Sequence, residues 1–199
     1  MAEEATLKWS ELKKSLQESD KKELINLLHD LYKKSADNRR YITARYAKTE
    51  DESKILEAYR KKVINAYYTP RGAASRPQYL VAKQAIDDYS KASGNIKGTM
   101  DLALTLVENV MKYIHEFSGI DEASRVGGSD MMEKFCELVR TEEGQNFYPY
   151  FRDRLHKLYR KSENSPYVLG NNLQYYISNL VDDIAEPDDD FFEEDVQDN

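Results

Sequence analysis

Apolar residues recur every three or four positions along most of the chain. No window keeps the two-residue alternation of a half-buried strand. The pattern predicts helices from end to end. Asp20 and Glu23 stand as N-cap and N3 of a helix running through Leu24, Ile25, Leu28, Leu31 and Tyr32. Thr49 and Glu52 have the same spacing ahead of a helix from Asp51 to Tyr68. On it Ile55, Leu56, Tyr59, Val63, Ala66 and Tyr67 share an arc of about 120°, with Arg60-Lys61-Lys62 mostly outside it. Pro70 ends that helix, and Arg71-Gly72 through Arg76-Pro77 reads as a loop. A helix from Gln78 to Ala92 follows, closed by Gly94.

The next helix, Lys97 to Phe117, gathers Asp101, Thr105, Glu108, Asn109, Lys112, His115 and Glu116 on one side and is apolar around most of the rest. So wide an apolar face predicts a central helix packed on more than one side. Gly119, Gly127 and Gly128 read as breaks. Asp130 then caps Met131 to Arg140, with Glu133 at the box position. Pro149 suits a helix start, and Phe151, Leu155 and Leu158 continue from it as one stripe. A last helix spans Asn171 to Ala185. The expectation is an all-α fold of eight or nine helices, as a compact array or a short right-handed stack of helix pairs. It forms one domain over 1–185, with a tail at 186–199. No regular repeat period is present, but Leu28 to Ser35 and Leu155 to Ser162 match at six of eight positions (LHDLYKKS and LHKLYRKS). Convergence on a good basic C-terminal turn and an internal duplication both account for this likeness.

Charge changes the picture at the C-terminal end. The 199 residues hold 29 Lys and Arg against 36 Asp and Glu, a net charge of -7. Ten of the acidic residues, and no Lys or Arg, fall between Asp182 and Asn199, so the rest is mildly basic. The run Pro187 to Asp195 repels itself, has little to bury and is expected to be disordered. It reads either as a solubilising end or as an acidic-aromatic arm. In the second reading Phe191 and Phe192 anchor it on a basic surface of its own or another chain. The start of the chain has no basic-then-apolar signal pattern, and Met100 to Phe117 is broken by charges, so no membrane span is expected. A cytoplasmic location is the expectation, in keeping with a single cysteine, Cys136.

Candidate chemistry is sparse. Asp153-x-x-His156 has a helical metal-ligand spacing, but it occurs once, among Arg152, Arg154, Lys157 and Arg160. Asp153 therefore reads as an ion-pair partner and no metal is expected. His29 and His115 lack a partner at ligand spacing, and His115 reads as half-buried. Cys136 lies on an apolar stripe and reads as a buried, inert thiol. No nucleophile elbow or phosphate-cradling glycine loop is present, so neither catalysis nor a cofactor is expected.

The basic residues between Lys33 and Arg76 number twelve, against five acidic, with five tyrosines interleaved and Tyr32 just ahead of them. Arg60, Lys61, Arg71 and Arg76 are candidates for contacting an anionic partner. Arg152, His156 and Arg160, at i, i+4 and i+8 beside Tyr159, form a second cluster.

Several blocks occur in a recognisable order. They are Glu23-Leu24-Ile25-x-x-Leu28-x-x-Leu31-Tyr32, then Tyr59-Arg60-Lys61-Lys62-Val63 running into Pro70-Arg71-Gly72. Ala82-Lys83-x-Ala85-Ile86-x-x-Tyr89 follows, and Phe117-x-Gly119-Ile120-Asp121-Glu122 closes the series. From Leu7 to Leu180 the chain resembles a family of small all-helical bacterial proteins catalogued as a domain of unknown function. The resemblance implies a cytoplasmic helical protein and supplies no catalytic residues. The functional expectation is a non-catalytic helical module that binds a protein or peptide. The alternative is a nucleic-acid binder using the surface around residues 33–76, masked by the acidic tail.

Overall fold

The described residues form ten α-helices: α1 (Trp9–Glu18), α2 (Lys21–Lys34), α3 (Ala36–Arg45), α4 (Glu52–Asn65), α5 (Tyr79–Ser93), α6 (Ile96–Phe117), α7 (Glu122–Val139), α8 (Glu142–Gln145), α9 (Tyr148–Glu163) and α10 (Val168–Ile184). The structure is a computed structural model and describes residues 7–46, 51–117, 119–163, 165, 168–184 and 191–192. Among the described residues there is no strand, only an isolated bridge between Tyr68 and Ala74. The all-α expectation holds. The helices cluster into two compact units, Met1–Tyr46 and Ala47–Asn199, where the sequence reads as one domain over 1–185.

In the first unit α2 starts at the expected capping box. Asp20 accepts from the Glu23 amide at 2.7 Å, and Glu23 accepts from the Asp20 amide at 3.0 Å. Ser35 ends α2 and caps α3, accepting from the Asn38 amide at 3.0 Å, while Asn38 Nδ2 donates to the Leu31 carbonyl at 2.9 Å. These bonds fix the turn between the two helices. Helix α3 carries no clear apolar stripe, which is why periodicity does not reveal it. Among the described residues of this unit only Ala44 is buried. Trp9, Leu12, Ile25, Leu28 and Leu31 are exposed.

The second unit is built round α6. Twelve of its 22 residues are buried, and it packs against α4, α5, α7, α8 and α9. The wide apolar face read from the sequence thus places it in the centre. Helix α5 ends at Gly94 with φ 64°, a left-handed cap that favours glycine. Phe151, Leu155 and Leu158 of α9 are buried as one stripe, fixing which face of α9 looks outward.

Three boundaries differ from expectation. Gly127 and Gly128 do not break the chain, because α7 runs through them from an N-cap at Asp121 that accepts from the Ser124 amide. A Cβ at Gly127 would collide with the Tyr79 ring, and one at Gly128 would lie 3.3 Å from Val110 Cγ1. These glycines permit close helix packing. Helix α4 stops at Asn65 and not Tyr68, since Ala66 to Tyr68 turn to pair with the following loop. There Ser75 donates to the Tyr67 carbonyl and Gln78 to the Ala66 carbonyl, each at 2.9 Å. Helix α10 begins at Val168, ahead of the expected Asn171. Its Gly170 lies so close to α9 that a Cβ there would be 2.6 Å from the Ser162 carbonyl oxygen. The Thr49 cap lies outside the described residues, as does most of the 186–199 tail.

Candidate functional site

The outward face of α9 carries Arg152, His156, Tyr159 and Arg160, and the one described piece of the tail sits on it. Phe191 is 0% exposed. Its ring meets His156 edge-on at 5.6 Å between centroids and Tyr159 at 6.2 Å, with the Arg152 guanidinium 5.7 Å from its centroid. Phe192 packs on Tyr159 at 5.4 Å and on Phe191 at 5.1 Å, and keeps 41% of its surface in solvent. Arg160 Nη2 donates to the Phe192 carbonyl at 3.0 Å. Arg160 Nε also reaches His156 Nε2 at 3.4 Å. The cluster read from the sequence as Arg152, His156 and Arg160 beside Tyr159 is therefore brought together around an aromatic anchor.

The chemistry of this surface is specific. A helix stripe at i, i+4 and i+7 forms a shallow seat for one ring, and cations over aromatic faces hold it. Acidic residues flank the anchors in sequence on both sides (Asp188, Asp189, Asp190, Glu193, Glu194, Asp195). Their charge is opposite in sign to that of Arg152 and Arg160.

The other candidates are dispersed. Arg60 does not await an anion. It donates to Asp101 Oδ2 through Nε at 3.0 Å and Nη2 at 2.7 Å, and to Glu57 through Nη1 at 2.6 Å. Arg154 grips the same carboxylate from α9, with Nη1 2.8 Å from Asp101 Oδ1, and holds Glu108 through two bonds of 2.8 Å. Burial alone would lower the pKa of each guanidinium, but these carboxylates outweigh it and hold both above the ordinary value. Lys61 is exposed, 4.0 Å from Glu57. Arg71 and Arg76 are exposed on the loop after α4, where Gly72, with φ 82°, closes a turn on the Thr69 carbonyl at 2.8 Å. Of the tyrosines in and just ahead of that stretch, Tyr59, Tyr67 and Tyr68 are buried, and Tyr32, Tyr41 and Tyr46 are exposed.

A cleft of about 290 Å³ lies between α6 and α9, with Glu108, Lys112, Arg154, Lys157 and Lys161 on its walls. Arg154 is already matched by carboxylates, and Lys112 lies over the Tyr68 ring at 4.3 Å and near Glu116 at 3.7 Å. Sequence reading misses the Arg154 network. Its signal is the Asp101, Thr105, Glu108 stripe on an otherwise apolar helix.

Cys136 is buried, its thiol donating weakly to the Tyr176 carbonyl at 3.7 Å, and burial pushes its pKa up to about 12. His115 is exposed and not half-buried, with Nε2 3.2 Å from the Lys161 carbonyl. Asp153 makes no ion pair among the described residues, contrary to expectation. None of those residues form a group of three or more potential metal ligands. No helix among them is long and apolar enough to cross a membrane. Comparison of the chain with protein-family models, curated proteins and solved structures returns no match, so the resemblance rests on the sequence blocks alone.

Proposed function

We propose that the chain is a non-catalytic protein-interaction module whose α9 surface binds an acidic peptide segment with adjacent aromatic residues. The observation that carries this reading is the complete burial of Phe191 among Arg152, His156 and Tyr159, far from the main core in sequence. Burying a phenylalanine side chain contributes about 1.5–3 kcal/mol, enough to seat a segment that its own chain holds nearby. The chain's own tail then acts as a built-in occupant, and a partner with the same chemistry competes with it. Nucleic-acid binding through residues 33–76 draws less support, because three of the tyrosines are buried and Arg60 is committed to Asp101 and Glu57.

The test uses the full chain carrying Phe191→Ala and Phe192→Ala, titrated with a peptide of sequence 186–195 while the histidine ring signals are followed by NMR. The His156 signals are expected to shift and saturate. An unmoved His156 at millimolar peptide would overturn the proposal.

A further inference from the structure

We propose that α2 carries a second site for the same ligand chemistry, an acidic segment with paired aromatic residues on a partner protein. The inference rests on the α9 reading above and extends it to the other unit. The shared octapeptide puts the receptor residues of α9 at the same register on α2. His29 stands for His156, Tyr32 for Tyr159, and Lys33 for Arg160. Both copies are helical and both occupy the last turns of their helix.

The i, i+4, i+7 stripe that seats Phe191 on α9 is Arg152, His156, Tyr159. On α2 it is Ile25, His29, Tyr32, and all three are exposed. Ile25 lacks the cation of Arg152. Helix α3 supplies one: the Arg39 guanidinium lies 5.5 Å from the Tyr32 ring centroid. Lys33 and Lys34 add charge at the same end of α2, where cations also suit the helix dipole. Asp30, beside His29, is the one acidic residue inside the octapeptide. From Leu7 to Tyr46 there are ten basic and six acidic residues, so the unit as a whole favours an acidic ligand.

On α9 the stripe is filled by Phe191. On α2 its residues remain in solvent, with Ile25 54% and Tyr32 37% exposed. The chain has one Phe-Phe pair and two such stripes. An aromatic ring laid along Ile25, His29 and Tyr32 would gain apolar contact and a cation at its face, and carboxylates beside it would meet Lys33 and Arg39.

The experiment titrates the unaltered full chain with the 186–195 peptide and follows the three histidines by NMR. The tethered tail outcompetes peptide at α9, since a short tether corresponds to a millimolar effective concentration. The His29 signals are expected to shift with His115 unmoved. Tyr32→Ala together with Lys33→Glu should weaken that binding about tenfold or more. Both residues lie in solvent, and His29→Ala, read by peptide anisotropy, gives an independent check. A shift confined to His156, no shift at all, or a His29 shift that survives the substitutions would each overturn the second site. The first of these leaves the α9 reading intact. Failure of that reading shows separately, as an unmoved His156 in the Phe191→Ala, Phe192→Ala chain.

Discussion

Asp101→Asn should destabilise the second unit more than loss of any exposed cation proposed from the sequence. Asp101 has a side chain only 15% exposed and takes three charge-assisted bonds, two from Arg60 and one from Arg154. It thereby ties α4 and α9 to α6. Asparagine keeps the shape, but presents an N–H₂ to one guanidinium and removes the charge that balances both. A hydrogen bond to a charged group contributes about 1.5–3 kcal/mol, and breaking a fully buried ion pair costs roughly 3–5 kcal/mol. Here the two arginines retain 33% and 29% side-chain exposure, and Glu57 and Glu108 remain to hold them. Water therefore screens part of the loss, and the cost should be about 2–3 kcal/mol. For a unit of this size that lowers Tm by about 4–12 °C. Urea unfolding followed by far-UV circular dichroism reads it as a fall in midpoint at unchanged slope. Arg76→Ala, on the exposed loop, should change stability by no more than about 0.5 kcal/mol. An Asp101→Asn effect as small as that of Arg76→Ala would refute the assignment of Arg60 and Arg154 to a structural network.

Further outcomes follow from packing and titration. Gly170→Ala forces a Cβ against the α9 backbone at Ser162 and should cost about 1–3 kcal/mol, despite alanine's better helix propensity, as measured by chemical unfolding. Burial raises the Asp87 pKa, but Lys83 and Lys134, bonded at 2.7 and 2.9 Å, overcome this and hold it below the usual carboxylate value. Its contribution is therefore present above about pH 4 and lost as pH falls through the lowered folded value. The stability gap between the unaltered chain and Asp87→Asn, measured across pH, should be flat from about pH 5 to 7 and close below about pH 4. Cys136, with its thiol pushed up to about 12, should resist an aromatic disulfide reagent at neutral pH until the chain is unfolded. Native labelling as fast as denatured labelling would contradict its burial.

Periodicity revealed the elements that bury a stripe. The wide face of α6 located the centre of the second unit, and Phe151, Leu155 and Leu158 oriented α9. What it missed follows from tertiary context. Gly127 and Gly128 look like breakers in isolation, yet they sit inside α7 because Tyr79 and Val110 approach there. Helix α3 has too little amphipathicity to announce itself, and α8 is a single turn. Arg60 reads as a surface cation until its distant partner Asp101, on another helix, is brought beside it. In the candidate site, the i, i+4, i+8 spacing of Arg152, His156 and Arg160 and the aromatic pair in the tail were each legible. Docking of that pair on a basic surface was one of two readings of the tail, but that the surface belongs to α9 was not legible, since the contact joins residues more than thirty positions apart.

The most direct measurement is the set of aromatic proton contacts of Phe191 in the full chain, by NMR with selectively labelled phenylalanine, tyrosine and histidine. The account predicts cross-peaks from the Phe191 ring to the rings of His156 and Tyr159. It also predicts that His156 signals move when Phe191→Ala removes the ring. Absence of those contacts, with His156 unchanged by the substitution, would contradict α9 as the receptor for the acidic-aromatic segment.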